Sequence, residues 1–169
     1  AADDQLVDCS NETTALNAWL ANNGGAEATG NGVEWTYSPM PIVFGPPSCS
    51  THTKSVLVTF TATDDCGASE TTTATFTVQD LVAPTVNPIP NTNYSCIPPN
   101  GVPPADVLLV TGESDNCGGA VTVALFSSST TGTGCPALLG TPMVVLRTYS
   151  VTDQYCNTTY VTHTITIVD

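Results

Sequence analysis

Acidic side chains are the residues whose type and spacing best suit chemistry in this chain, because they outnumber basic ones 15 to 2. Many follow strand-like runs, where carboxylates and backbone carbonyls could supply the oxygen ligands that calcium prefers. Calcium is therefore the expected cofactor, and a candidate site at a domain joint combines Asp80 with Asp153 or Glu113. A solvated acidic surface is the alternative. The full set of candidate ligands is Asp64, Asp65, Asp80, Glu113, Asp115, Asp153 and Asp169.

Catalytic chemistry has little support from the two histidines. His52 lies in a polar stretch, SCSTHTK, and His163 falls on the inward row of the last predicted strand. Neither occupies a recognisable Ser–His–Asp or Cys–His setting, and their spacing does not fit a zinc site. We therefore expect a protein that is not an enzyme.

Composition excludes several classes of partner. Lys54 and Arg147 are the only basic residues apart from the histidines, so no basic surface for nucleic acid or an anionic membrane can form. No apolar run reaches the ~18–20 residues that span a bilayer. Seven cysteines in an acidic chain of 169 residues favour a secreted, disulfide-bonded protein. We expect an extracellular or cell-surface location.

The chain contains two versions of one unit. TFTATDDCGASETTTATFTVQD ends at Asp80, and RTYSVTDQYCNTTYVTHTITIVD ends at Asp169. Asp64 and Asp153 occupy the same place in the two copies and are 89 positions apart, as are the two closing aspartates. Self-similarity at a fixed interval is typical of repeated domains. The sequence predicts two domains, residues 1–82 and 83–169.

Both copies end in strands that alternate apolar residues with threonine. Val58, Phe60 and Ala62 alternate with threonines in the first copy, and Ile165 and Ile167 do so in the second. This period of two is typical of half-buried antiparallel strands. One segment, near residues 12–22, predicts a short helix. The predicted fold class is all-β, with two tandem immunoglobulin-like antiparallel β-sandwich domains of about seven strands each and one short helix in the first.

A family resemblance covers essentially the whole chain. The strings TFTATDDCG, ATFTVQD followed by APT, ESDNCGG, and RTYSVTD with THTITIVD resemble hyalin-repeat-like (HYR-like) domains. Such domains occur in tandem in cell-surface and secreted adhesin-like proteins of Bacteroidetes-type bacteria. The resemblance implies an immunoglobulin-like sandwich, extracellular repeats strung end to end, disulfide or calcium reinforcement, and no catalysis. The first copy departs from the pattern, with Asn31 where Cys117 stands and Thr29 where Asp115 stands.

The cysteines predict disulfides whose connectivity the sequence leaves open. The four in the second copy permit three connectivities. Cys117 and Cys156 both follow an aspartate at the end of a strand-like run, which favours Cys117–Cys156 with Cys96–Cys135. The first copy would pair Cys9 with Cys49. Its remaining Cys66 would be a buried free thiol, or would link two molecules.

The combined interpretation is a structural subunit or repeat segment of an extracellular filament or adhesin stalk. Its expected partners are copies of itself or neighbouring repeats, joined head to tail, with strand addition as one mode of assembly. A carbohydrate- or surface-binding adhesion module is the alternative, with contacts drawn from Tyr37, Tyr94, Tyr155 and Tyr160. Sequons predict glycosylation at Asn11, Asn93 and Asn157.

Overall fold

A computed structural model describes residues 1–99, 101–133 and 141–168 of the chain. The chain divides into two compact units, Ala1–Leu81 and Val82–Asp169. Within the described ranges, no helix is both long and apolar enough to cross a membrane.

The first unit contains one four-stranded sheet and one helix. Its elements are β1 (Gln5–Asp8), α1 (Glu12–Ala21), β2 (Glu34–Ser38), β3 (Thr53–Thr63) and β4 (Ser69–Gln79). The strand order is β1-β4-β3-β2. Strands β2, β3 and β4 are antiparallel, whereas β1 pairs with β4 in parallel.

The core of the first unit forms where the inward row of the sheet meets α1. Val58 and Phe60 on β3 and Phe76 on β4 have no exposed surface, as the alternation of the sequence predicts. Trp19 of α1 packs with ring-centroid distances of 5.1 Å to Phe60 and 5.3 Å to Phe76. The helix ends just before Gly24, whose φ of 64° and closeness to the Phe60 ring leave no room for a side chain. The predicted helix is confirmed.

The second unit repeats the sheet, and its described residues contain no α-helix. Its strands are β5 (Thr92–Tyr94), β6 (Thr122–Thr131), β7 (Met143–Thr152) and β8 (Thr158–Ile167), in the order β5-β8-β7-β6. Here too the first strand pairs in parallel with the last. Tyr149 and Val151 on β7 are fully buried and pack with Ile89 and Val110.

The fold class is the predicted one: all-β, two tandem β-sandwich domains of the immunoglobulin type, with one short helix in the first. The expected number of strands is wrong, because each unit has four strands among the described residues. The sheet in the first unit is covered partly by α1. In the second unit, part of the cover is the segment 101–106, whose prolines lack the N–H groups that a strand ladder needs.

Candidate metal centre

Two equivalent aspartates organise the loops of the long hairpins. Asp153 Oδ1, between β7 and β8, accepts hydrogen bonds from the amides of Tyr155 (2.7 Å) and Asn157 (2.9 Å). Asp64 Oδ1, between β3 and β4, accepts from the amides of Cys66 and Ala68, both at 2.9 Å. Short polar side chains often stabilise turns by accepting nearby backbone N–H groups. Each aspartate therefore fixes the loop that connects its two longest strands.

Asp153 is held more tightly than Asp64. Its side chain is only 6% exposed, and its second oxygen accepts from Asn157 Nδ2 at 2.9 Å. Asp64 is half-buried, and its two hydrogen bonds lie at the surface. Among the described residues, Asp64 Oδ2 is available for a further ligand. Asp153 Oδ2 accepts one hydrogen bond and has a second lone pair that is also available.

Asp115 and Asp153 come together in the second unit. One carboxylate oxygen of Asp115 lies within 4.8 Å of one carboxylate oxygen of Asp153. Asp115 Oδ2 accepts from the Cys117 amide at 2.9 Å, while Asp115 Oδ1 is buried and has no hydrogen-bond partner in the part of the chain that is described. Arg147, the basic residue of this unit, donates to backbone carbonyls instead. Two close, partly buried carboxylates repel each other unless a cation or a proton neutralises them.

The carboxylates of Asp115 and Asp153 are suitable as two of the ligands of a calcium ion. Calcium takes six to eight oxygen ligands from carboxylates, carbonyls and water. Asp115 and Asp153 supply hard oxygen atoms, and the unpartnered Asp115 Oδ1 is available as a ligand. The remaining ligands would be carbonyls and water.

The other predicted ligands differ in exposure. Asp65 is exposed and contacts Gly32, while Glu113 is exposed in the second unit. Asp80 is fully buried, and its amide donates to the His52 carbonyl at 3.0 Å. Asp169 lies outside the described residues.

Four cysteines are disulfide-bonded: Cys9, Cys49, Cys117 and Cys156. Cys96 is a free, exposed thiol, so the structure lacks the predicted Cys96–Cys135 disulfide. Cys135 itself lies outside the described residues. Cys66 is also free and exposed, which contradicts the expected buried thiol. Its position in the hairpin loop after Asp64, rather than on an inward strand row, accounts for this exposure.

The loop of the first unit explains why Cys66 has no partner there. The Asp65 amide donates to the Asn31 carbonyl at 3.1 Å, so the segment bearing Asn31 lies against the loop bearing Cys66. Cys117 and Cys156 stand at the corresponding places in the second unit, and both are disulfide-bonded. The pairings Cys117–Cys156 and Cys9–Cys49 remain predictions.

His163 lies on the inner face of β8, as predicted, and does not form a catalytic triad. Its Nε2 hydrogen-bonds Thr92 Oγ1 at 2.9 Å, whereas Nδ1 is buried with no partner among the described residues. A Thr–His pair without an acid at the second nitrogen lacks the group that orients the imidazole in a triad. Burial lowers the pKa of His163 below its ordinary value, and the charge of Arg147 lowers it further.

Sequence reasoning missed the environment of Arg147. Arg147 and His163 are directly opposite each other on β7 and β8, and both side chains are at least nine-tenths buried. The signal was present in the alternation, because Val145, Arg147 and Tyr149 share one inward row. A charged residue at an inward position normally argues against burial, so the pattern alone did not reveal this polar pair.

The predicted surface sites differ in accessibility. Asn11 and Asn93 are exposed. Asn157 Nδ2, the atom to which a glycan would be attached, donates to Asp153, which disfavours that sequon. Of the four tyrosines proposed as contacts, Tyr155 is 1% exposed and Tyr160 is 53% exposed.

An aromatic pair lies on the surface of the second unit. The rings of Phe126 and Tyr160 are 4.8 Å apart in an edge-to-face arrangement. Both side chains are more than half exposed. Tyr160 was among the predicted contacts, whereas Phe126, which follows Leu125 in a bulged part of β6, was not.

No protein-family model matches the chain, and no curated protein matches it. The solved structures that match it include cadherin ectodomains. The protocadherin gamma B4 extracellular domain has 14% identity and a TM-score of 0.32, with 81% of this chain and 27% of that chain covered. Human protocadherin-24 EC1-2 has 15% identity and a TM-score of 0.28, with 82% and 83% covered. Drosophila N-cadherin EC1-4 has 13% identity and a TM-score of 0.32, with 82% and 42% covered. The assignment of the fold rests on the strands and cores described above.

Proposed function

We propose that this chain is a non-catalytic structural segment of an extracellular filament or adhesin stalk, built from HYR-like repeats. The observation that carries the proposal is the set of four disulfide-bonded cysteines, two in each unit. Disulfides persist mainly in oxidising compartments and reinforce small domains. Long strands, joined by hairpin loops that Asp64 and Asp153 fix, suit a part that bears load.

The disulfide arrangement is tested by peptide mapping without reduction. Cross-linked peptides joining Cys117 to Cys156, and Cys9 to Cys49, are expected from protein isolated under thiol-blocking conditions. The Asn31–Asp65 contact supports the first pairing, because it brings together the equivalent segments of the first unit. Peptides that join a cysteine of one unit to a cysteine of the other would contradict this arrangement.

Calcium binding is proposed at Asp115 and Asp153. A calcium ion would cross-link two carboxylates that otherwise repel each other, and would thereby stabilise the second unit. At a free calcium concentration about 100 times Kd, linkage adds about 2.7 kcal/mol to the free energy of unfolding. For a domain of this size, this is a rise of about 10–20 °C in Tm.

The calcium test compares Asp115→Asn with Glu113→Gln. Each variant removes one negative charge, but only the first removes a proposed ligand. In EDTA, Asp115→Asn should leave the Tm of the second unit unchanged or raised, because it relieves repulsion. In calcium, this variant should lose the rise in Tm that the wild type and Glu113→Gln retain. An equal calcium response in all three proteins would contradict the site.

Self-assembly by strand addition is proposed at β6. This ten-residue strand is at the edge of its sheet, and no described strand pairs with its outer side. Its second half, Ser127–Thr131, is exposed and carries none of the Lys or Pro residues that protect edge strands. A strand from another copy could therefore extend the sheet through backbone hydrogen bonds.

Two neighbouring proline substitutions test this assembly mode. Ser128→Pro and Ser129→Pro remove consecutive N–H groups, which point to opposite sides of β6. One variant should weaken the ladder with β7 and lower Tm. The other should leave Tm nearly unchanged and abolish filaments seen by electron microscopy. Filaments that persist in both folded variants would exclude β6 as the site of addition.

Phe126 and Tyr160 favour a second candidate function, carbohydrate or surface adhesion. Exposed aromatic rings offer apolar faces on which a sugar ring can stack. A glycan array should then give a specific signal that Tyr160→Ala removes and Tyr160→Phe retains. The absence of any specific glycan signal for the wild type would leave only the structural proposal.

A further inference from the structure

Arg147 is a buried cation whose hydrogen bonds go to neutral groups. Its side chain is 6% exposed. Nη1 donates to the Pro104 carbonyl at 2.8 Å, and Nη2 donates to the Pro103 carbonyl. No carboxylate forms an ion pair with Arg147 among the described residues. Burying a guanidinium without a counter-ion is costly, and buried charges are usually paired.

The first unit shows that this sheet does not need a charge at that position. The 89-residue offset aligns Arg147 with Val58 and His163 with Ala74. Val58 and Ala74 are also directly opposite each other, and both are buried. The same place in two equivalent sheets therefore holds an apolar pair in one unit and an Arg–His pair in the other.

A cavity of about 270 Å³ adjoins the Arg–His pair within the second unit. Tyr94, Leu109 and Ile165 give it apolar walls, and Thr92 contributes a hydroxyl. His163 Nδ1 has no hydrogen-bond partner among the described residues. The cavity therefore combines apolar walls with a few polar groups, which is the usual character of a small-molecule site.

We propose that this cavity binds a small organic carboxylate, with Arg147 as the principal contact. A guanidinium presents several donors in a plane and pairs well with the two oxygens of a carboxylate. The bound anion would supply the missing counter-charge. The volume is large enough for a carboxylate with a short apolar chain, which would pack against Leu109 and Ile165.

Asp106 also lines the cavity and limits where an anion can bind. Its Oδ1 accepts from the Leu108 amide at 2.9 Å, and it makes no ion pair with Arg147. Repulsion from Asp106 would keep the carboxylate on the side of Arg147 and His163. The ionisable groups around the His163 ring are Arg147 on β7, Tyr94 on β5 and Asp106 on the preceding segment.

The test is a titration of the full chain with sodium acetate and sodium butyrate, followed by NMR. Saturable shifts are expected for the His163 ring and for the β7 amides around Arg147, with tighter binding of butyrate. Because a bound anion offsets the charge of Arg147, the pKa of His163 should rise on saturation. Sodium chloride at equal ionic strength is the control and should give no saturable shift. Saturation by chloride alone would overturn the assignment of a carboxylate.

The matched variant is Arg147→Val with His163→Ala, which recreates the pair of the first unit. Because Val58 and Ala74 pack in an equivalent sheet, this double variant should fold. It should bind butyrate at least tenfold more weakly, as read from the β7 amides. Lys54→Met, which removes the other positively charged side chain, should leave the titration unchanged. Equal binding by the double variant and the wild type, or no saturable shift in the wild type, would overturn the proposal.

Discussion

Replacing Asp153 by alanine should destabilise the second unit far more than the equivalent change destabilises the first. Asp153 Oδ1 accepts from two backbone amides, and the Asp153 side chain is 6% exposed. Asp64 Oδ1 also accepts from two backbone amides, but those of Cys66 and Ala68 lie at the surface. The two substitutions remove the same kind of hydrogen bonds in different environments.

The magnitude follows from what the freed amides can bind. A buried donor left without a partner costs about 1–3 kcal/mol. Two such donors give about 2–6 kcal/mol for Asp153→Ala. In Asp64→Ala, water can replace the carboxylate, so a loss of about 1 kcal/mol is expected. Asp153→Asn keeps one acceptor oxygen and should fall between the wild type and Asp153→Ala.

Equilibrium urea unfolding in EDTA measures both variants without a contribution from calcium. Both tryptophans, Trp19 and Trp35, lie in the first unit, so tryptophan fluorescence reports unfolding of that unit. Far-ultraviolet circular dichroism reports both units, and the difference isolates the second. Equal losses for Asp153→Ala and Asp64→Ala would refute the argument that burial sets the cost.

Two further changes test the buried histidine and the helix. The pKa of His163 is lowered by burial and then by Arg147, so the unfolded chain protonates this histidine more readily than the folded chain does. The contribution of His163 to stability should therefore fall as pH drops below the ordinary pKa of 6.5, and it should not change above that pH. Urea unfolding between about pH 5 and 7 should show this loss in the wild type and in His52→Ala but not in His163→Ala. Trp19→Ala should destabilise the first unit by about 3–5 kcal/mol, because it leaves a cavity between α1 and the sheet. A loss below about 1 kcal/mol by circular dichroism would show that the helix is not part of the core.

The strands could be predicted from the sequence because one face of each sheet is buried. In β3, the inward Val58 and Phe60 alternate with the threonines of the outer face. A shift of one residue would put the apolar row in water, so the pattern fixes both the strand and its orientation. The helix was predictable for a similar reason. Its apolar residues lie on one side, where Trp19 packs against the sheet, and Gly24 follows its end.

The second layer could not be predicted in the same way. The proline-rich segment 101–106 has no periodic pattern, and the carbonyls of Pro103 and Pro104 accept from Arg147 rather than from a neighbouring strand. The proximity of Asp115 to Asp153 could not be predicted from the sequence either, because it depends on the three-dimensional positions of two loops. The sequence did indicate both aspartates as candidate ligands, and the joint site that combines Asp80 with Asp153 or Glu113 stays a prediction.

The pairing of the first and last strands predicts how each unit resists a stretching force. β1 lies parallel to β4, and β5 lies parallel to β8. A force that pulls the start of β1 away from the end of β4 acts along the strands. All the hydrogen bonds between them are then loaded together instead of opening one by one.

Single-molecule force spectroscopy under reducing conditions tests this arrangement. Leu6→Pro removes a backbone donor from β1 and should lower the unfolding force of the first unit alone, while Asn93→Pro should do the same for β5 and the second unit. As a control, Ser38→Pro at the end of β2 lies away from the loaded pair and should have little effect on that force. Unchanged forces in both Leu6→Pro and Asn93→Pro would show that the parallel pairs do not carry the load, and the proposed mechanical role would then have to rest on the antiparallel hairpins.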